Sequence, residues 1–427
     1  LDTTHAAPTR LAASSFALWR NERVRRILSA RGYDLRSPLC GSADARVVWG
    51  ARQETTPAVY LEDAFLRSLH PGRVAQEPTL GLLVDDLGPH FDPTRPSRLE
   101  QMLAGDRVSD TTALSAARDA INLMQRAHLS KYAATDPAYP LPASDFVLVV
   151  DQVRGDASVA CSRAGAQTFR HMLDTARAHH PGQRILVRRH PETAAGKRPG
   201  YLCGFGKQDP AFVIDGPVST WGLLSSASAV YTVSSQMGFE AICAGHQPHV
   251  FGQPFYAGWG LSTDHAPHIC FVRRRRSQPL DAEMLFAGSM LLYPAWWDPY
   301  RDTPADLMGV LRALEEQSRA WREDRNGYRA YGMSLWKRRP IRNFFGKRVK
   351  FAGHPRGRTP LIWASRADRA PQNSVIHVED GLLRSRGLGA QLVPALSLIA
   401  DPVGIYYDPA KPSAMEHAIA ASPALPK

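Results

Sequence analysis

Between Phe146 and Val150 the chain carries five apolar residues in a row, Phe-Val-Leu-Val-Val. A run so short and so rich in β-branched residues predicts a strand buried on both faces, as in the middle of a parallel sheet. Apolar positions then recur at helical spacing over residues 165–178. Further strands are predicted at residues 184–188, 212–214, 229–233 and 249–251, with helices at 218–226 and 238–244. Strand and helix in alternation predict a doubly wound α/β domain. From residue 281 to 325 the pattern turns helical and tryptophan-rich (Trp296, Trp297, Trp321), which predicts a closing helical segment.

The pattern also repeats. Leu61-Glu62-Asp63-Ala64-Phe65-Leu66-Arg67-Ser68 returns as Val378-Glu379-Asp380-Gly381-Leu382-Leu383-Arg384-Ser385, an offset of 317 residues. Leu18-Trp19-Arg20 matches Leu335-Trp336-Lys337 at the same offset. Downstream, the stretch from Pro78 matches that from Pro394, pairing Asp85 with Asp401, Asp92 with Asp408 and Glu100 with Glu416 at an offset of 316. Solenoid units run ~20 to 50 residues, so this period marks a duplicated module instead. Three regions follow: residues 1–140, a middle domain at 141–330 that occurs once, and a partial second copy at 331–427.

With 427 residues, 44% hydrophobic and 22% charged, the chain falls among folded multidomain proteins. Lys and Arg exceed Asp and Glu by 12, which favours an anionic partner. Five scattered cysteines without a C-x-x-C pair fit neither a zinc module nor a disulfide framework and favour a reducing compartment. No apolar run reaches the ~20 residues of a membrane helix, and Leu1-Asp2-Thr3-Thr4 opens no apolar leader. The absence of an initiator Met suggests a cut or processed chain.

In doubly wound sheets ligands gather at the carboxyl ends of strands. Three clusters lie there. The first is Asp151-Gln152-Val153-Arg154-Gly155-Asp156-Ala157-Ser158, where two carboxylates share a loop, unless Asp156 or Ser158 only caps the next helix. The second is Arg188-Arg189-His190-Pro191 with Lys197, suited to a phosphate or carboxylate; a solvated basic loop is the alternative. The third, Ser234-Ser235-Gln236-Met237-Gly238-Phe239-Glu240, can cradle an anion at a helix N-terminus or supply an ordinary cap. Gly252-Gln253-Pro254-Phe255-Tyr256-Ala257-Gly258-Trp259-Gly260-Leu261 can stack on a sugar or base, or form a rigid turn.

Taken together, E-D-[GA]-[FL]-L-R-S, G-I-Y-Y-D-P-x-x-P-S, V-V-D-Q-x-x-x-D-x-S, H-P, S-S-Q-x-G-F-E-A and G-Q-P-F-Y-A-G-W-G-L resemble the KpsC family of capsule polysaccharide β-Kdo transferases, where Kdo is 3-deoxy-D-manno-oct-2-ulosonic acid. The motifs cover most of residues 18 to 330 and restart near 334. The resemblance implies a GT-B-like α/β fold of two facing Rossmann-like domains, often in tandem modules, with residues 1–140 on the acceptor side and a CMP-Kdo site at 141–330. It implies transfer from CMP-Kdo to a Kdo-terminated glycolipid with retention, and no metal or other cofactor. Asp156 is then the expected nucleophile, because retention needs two inversions, and Asp151 is either its competitor or a structural acceptor in the same loop. Glu62 or Glu379 is the expected acid/base, with the first copy favoured because it shares a module with the middle domain. His190, Ser234 and Ser235 would hold the CMP phosphate, and Arg188, Arg189 and Lys197 that phosphate or the Kdo carboxylate. Gln152, Ser158, Gln236, Glu240, Tyr256 and Trp259 complete the expected donor site.

Some residues depart from the pattern. The first copy has Ala64 for the family's glycine and Pro89-His90-Phe91 where the second has Ile405-Tyr406-Tyr407, while the second copy lacks its own D-x-S, H-P and S-S segments. Residues 337–350 hold seven basic residues and no acid, with Phe344 and Phe345 among them, and residues 273–276 are four arginines. Such a belt suits a peripheral site on the inner, anionic face of the cytoplasmic membrane, where a lipid acceptor and other capsule assembly proteins would be met. A solvated linker is the alternative. The competing functions are a non-catalytic polysaccharide-binding or assembly module and, last, nucleic-acid binding, for which no recognised motif is present.

Overall fold

A computed structural model describes residues 9–51, 57–204, 213–266, 270–346, 348–351, 358–369, 375–386, 393 and 395–422. Phe212, Lys347 and Pro394 lie outside the described residues. The chain divides into two compact units, Leu1–Ser318 and Arg319–Lys427.

The first unit holds two sheets. In the first, β1 (Thr9–Ala13), β2 (Tyr33–Arg36), β3 (Ala45–Trp49) and β4 (Ala58–Asp63) run parallel, and β5 (Gly81–Asp85) pairs antiparallel to β4. The second contains β6 (Phe146–Val150), β7 (Arg184–Arg188), β8 (Val213–Ile214), β9 (Ala227–Thr232), β10 (His249–Val250) and β11 (Thr263–Asp264), all parallel, in the order β11-β10-β9-β6-β7-β8. All five residues of β6 are buried, as an apolar run between two helix layers requires. Numbered from β6, this is the doubly wound order 3-2-1-4-5-6, whose direction reverses between β6 and β9. A ligand crevice belongs at that reversal.

The tryptophan-rich segment differs from expectation. Pro294 ends a helical stretch, and Trp296 and Trp297 lie on β12 (Ala295–Asp298), which pairs antiparallel to β5 and is followed by β13 (Thr303–Pro304). The aromatic pair favours a pleated, half-buried surface over a helix, and the chain thereby returns to the first sheet. Helix Leu307–Asp324 follows.

In the second unit, β14 (Tyr328–Tyr331), β15 (Lys350–Phe351), β16 (Thr359–Trp363), β17 (Ile376–Asp380) and β18 (Leu398–Asp401) form a sheet of order β15-β14-β16-β17-β18. That order and its strand senses match β2-β1-β3-β4-β5, including the one antiparallel pair. Glu62 opposes Leu83 and Glu379 opposes Ile399, so the two registers agree as well. Much of the shared motif is a clamp. Asp63 pairs with Arg67 at 3.0 Å, and Arg67 donates to Ser68 Oγ and Glu77 O; Asp380 pairs with Arg384 at 2.7 Å, and Arg384 donates to Ser385 Oγ and Val393 O. Asp85 accepts from the amides of Leu87, Gly88 and Arg98, as Asp401 does from those of Val403, Gly404 and Ala414.

Among the described residues no helix is long and apolar enough to cross a membrane. The basic belt is partly structural. Phe345 is buried in the core of the second unit while Phe344 stays 41% exposed. Arg273 and Arg274 both pair with the buried Glu100, and Arg276 donates to Leu103 O, so three of the four arginines at 273–276 bind the two halves of the first unit together.

Candidate active site

The loops after β6 and β9 meet at the reversal point. Gln152 Nε2 donates to Ser234 Oγ at 3.1 Å, Ser234 N donates to Gln152 Oε1 at 2.9 Å, and Ser158 Oγ lies 2.9 Å from Ser234 Oγ. Asp156 caps helix Ala157–Cys161, its Oδ1 accepting from Ser158 N and Oγ at 2.8 and 2.7 Å. Capping and chemistry are compatible here, because Oδ2 has no partner among the described residues.

Asp151 is placed differently. It is 2% exposed, and its Oδ1 accepts from the amides of Gln152, Tyr201 and Leu202. Burial raises its pKa to about 6 against those amides. Its Oδ1 is thus a structural acceptor for the 200–202 loop, while Oδ2 is buried without a hydrogen-bond partner among the described residues, an arrangement that favours Asp156 for attack on a ligand over Asp151. Gly200 packs directly on it, where a Cβ would collide with Oδ2.

His190 caps helix Pro191–Ala194, and its Nδ1 accepts from Glu192 N at 3.1 Å. That role assigns the ring proton to Nε2. Burial, aided by Lys131, pushes its pKa down to about 4, so the ring is a neutral Nε2–H donor at physiological pH. The expected cations beside it are largely engaged elsewhere. Arg188 is 8% exposed and donates to Ile214 O and Gly216 O, and burial lowers its pKa to about 10. Arg189 is paired with Asp215 and Lys197 is exposed. Arg198, one residue on, donates to Arg154 O at 2.6 Å and borders Gly155 in the D-x-S loop.

Ser235 caps helix Gln236–Cys243, and Gln236 Nε2 donates across to Phe65 O of the first sheet's E-D-A-F-L-R-S segment at 2.7 Å. Glu240 is buried, accepts from Lys131 N at 3.3 Å, and has its pKa raised by burial to about 7. The aromatic loop is a plug rather than a stacking platform. Tyr256 is fully buried and donates to Ser235 O at 2.6 Å; Trp259 is 8% exposed and donates to Phe255 O; Phe255 packs on Phe65 with ring centroids 4.8 Å apart. Tyr256 thereby supports the Ser235 turn from beneath, and both Tyr256 and Trp259 are turned into the core rather than toward solvent.

Glu62 lies near the end of β4 in the first sheet, beside Asp63. Burial, with Asp63 adding to it, raises its pKa to about 7, suited to a group that takes and returns a proton. Glu379 lies in the second unit, where Tyr407 Oη donates to it at 3.4 Å.

One residue at this centre escapes every motif. Lys131 follows helix Thr111–Ala127, and its charge acts on Glu62, His90, His190 and Glu240. Burial disfavours its charge, but Tyr132, Asp156, Glu62 and Asp63 outweigh burial and hold its pKa above the ordinary lysine value. It is the first lysine of a chain whose earlier cations are all arginines, and that was the available signal.

Residues 141–294 match the family described as capsule polysaccharide biosynthesis protein. The chain is 34% identical over 414 residues to the capsule polysaccharide modification protein LipA of Neisseria meningitidis serogroup A, covering 88% of this chain and 58% of LipA. It is 35% identical over 251 residues to the lipopolysaccharide-processing protein LpsZ of Rhizobium meliloti, covering 58% of this chain and 56% of LpsZ. The chain thus spans somewhat over half the length of these curated relatives. Among solved structures, the β-Kdo 2,4 transferase of Thermosulfurimonas dismutans KpsC matches with a TM-score of 0.64 and 33% identity, over 73% of this chain and 99% of that one. The β-Kdo 2,7 transferase of the same KpsC matches with a TM-score of 0.54 and 25% identity, over 72% and 99%.

Proposed function

The chain belongs to the KpsC-like family of capsule polysaccharide Kdo transferases, and from that premise we propose that it is a retaining glycosyltransferase moving Kdo from CMP-Kdo to a Kdo-terminated glycolipid. The observation that supports the reading most is that the Asp156-Ala157-Ser158 and Ser234-Ser235 loops are hydrogen-bonded to each other at the crevice where the strand order reverses, with Gln236 after the second loop reaching the first sheet's E-D-A-F-L-R-S segment.

In the first step an Asp156 oxygen attacks the anomeric carbon, and the bond to the phosphate oxygen breaks to release CMP. The His190 Nε2–H and the first-turn amides after Ser235 stabilise the departing phosphate. In the second step the acceptor hydroxyl attacks the same carbon while Glu62 takes its proton, and the ester bond returns its electrons to Asp156. Two inversions give retention. Leaving-group stabilisation runs through these groups rather than a metal ion.

The two sheets of the first unit are read as the facing domains of a GT-B-like module, and the second unit as a partial copy of its first domain. Leu335, Trp336 and Phe344, exposed beside Arg339 and Arg342, are the surface proposed to meet an anionic membrane. CMP release from CMP-Kdo in the presence of a Kdo-terminated acceptor and EDTA tests the function. Transfer lost in Asp156→Ala supports it; transfer undiminished in that variant contradicts it.

A further inference from the structure

Three acidic groups crowd the site proposed for an anionic sugar. Asp63 is answered by Arg67 at 3.0 Å. Glu62 and Asp156 have no basic side chain within ion-pair distance among the described residues, and neither has the Lys131 ammonium a carboxylate. Lys131 is nevertheless the cation whose field reaches both.

Its backbone is pinned from both sides. Lys131 N donates to Glu240 in the middle domain, and Lys131 O accepts from Arg67 N at 3.1 Å on the first-sheet side. Its Nζ lies 5.7 Å from the Tyr132 ring centroid, and that ring meets His190 edge-on with centroids 5.8 Å apart. The lysine is held in place with its charge unspent.

We propose that Lys131 binds the carboxylate of the donor sugar and holds it between Asp156 and Glu62 during transfer. The inference rests on the reading of the site as a Kdo transferase. In a 2-ulosonic acid the carboxylate is attached to the anomeric carbon itself. A lysine held at the joint between the two sheets, with its Nζ over the Tyr132 ring beside His190, is therefore positioned to take that carboxylate while the phosphate takes the His190 Nε2–H and the helix amides. Without it, an anionic donor would enter between two acids of like charge.

The test uses Lys131→Met, which keeps the aliphatic stem, and Lys131→Arg, which keeps the charge, with melting temperature as the folding check. Binding of CMP and of CMP-Kdo is measured in an Asp156→Asn background to prevent turnover, and kinetics in the Asp156 protein. For Met, donor affinity should fall on the order of a hundredfold, as expected on losing a charge-assisted pair, with CMP affinity unchanged. Donor KM should rise with acceptor KM constant, and Arg should recover most of the loss. The limb of kcat/KM against pH should also move to higher pH in Met, because a cation favouring ionised Glu62 is gone. Equal losses for CMP and CMP-Kdo would assign Lys131 to the phosphate and overturn the inference. So would a change confined to acceptor KM, or unaltered donor binding. If the unsubstituted protein neither binds nor turns over CMP-Kdo, the functional reading itself falls, an outcome distinct from normal transfer by Lys131→Met.

Discussion

Glu62 and Glu240 carry opposite consequences of the same burial. Burial raises both pKa values to about 7. As a base Glu62 acts only when ionised, so kcat/KM should rise as pH passes through about 7 and level off above it. Glu62→Gln should remove that limb and lower kcat ~100-fold or more; a retained limb would point to another group. Glu240 bears on stability. Its folded pKa exceeds the unfolded carboxylate value, so the folded state keeps a proton that the unfolded state has lost, and stability falls as pH rises between those values. Glu240→Gln keeps the carbonyl that accepts from Lys131 N but has no proton to lose. Its melting temperature relative to the parent should increase from pH 5 to pH 8, by an amount equivalent to about 1–3 kcal/mol.

At the scale of elements, several acidic and basic motifs turn out to be joints. Glu100 answers Arg273 and Arg274, of which Arg274 also donates to Pro254 O and Ala257 O behind the aromatic loop. Glu100→Ala leaves a buried arginine uncompensated and should cost about 3–5 kcal/mol, read in urea unfolding; a loss under 1 kcal/mol would show the joint to be dispensable. The strands were legible in the sequence because apolar runs and β-branched residues report burial directly: β6 and β7 fall where the pattern puts them. Trp296 and Trp297 were not, since two adjacent tryptophans carry no period and β12 is defined by its partner β5. Asp156, His190 and Ser234 were legible as candidates because each stands in a loop just after a strand, and the structure puts all three in such loops. Spacing alone could not separate Asp151 from Asp156, which differ in which amides reach them. Nor could it show that Tyr256 and Trp259 face inward.

Over the whole molecule, the repeated sheet exists in two surroundings. Phe65, Leu66, Leu80 and Leu103 are buried in the first unit, while their counterparts Leu382, Leu383, Leu396 and Ile419 are 70%, 83%, 72% and 66% exposed. In the first unit that face is covered in part by Phe239 and Phe255 of the middle domain. A patch of this kind binds apolar probes and promotes association. Leu382→Ser with Leu383→Ser should reduce ANS fluorescence and self-association without lowering Kdo transfer by the first unit; unchanged fluorescence would mean that the face is covered in solution. The central claim is that sugar passes through Asp156. It is tested most directly by incubating Glu62→Gln with CMP-Kdo and no acceptor, then analysing intact mass and peptides. One Kdo residue added to the peptide containing Asp156, and none added when Asp156 is also replaced by Ala, is the predicted result. Product formation with retained configuration by the Asp156→Ala protein, with no adduct at any stage, would contradict it.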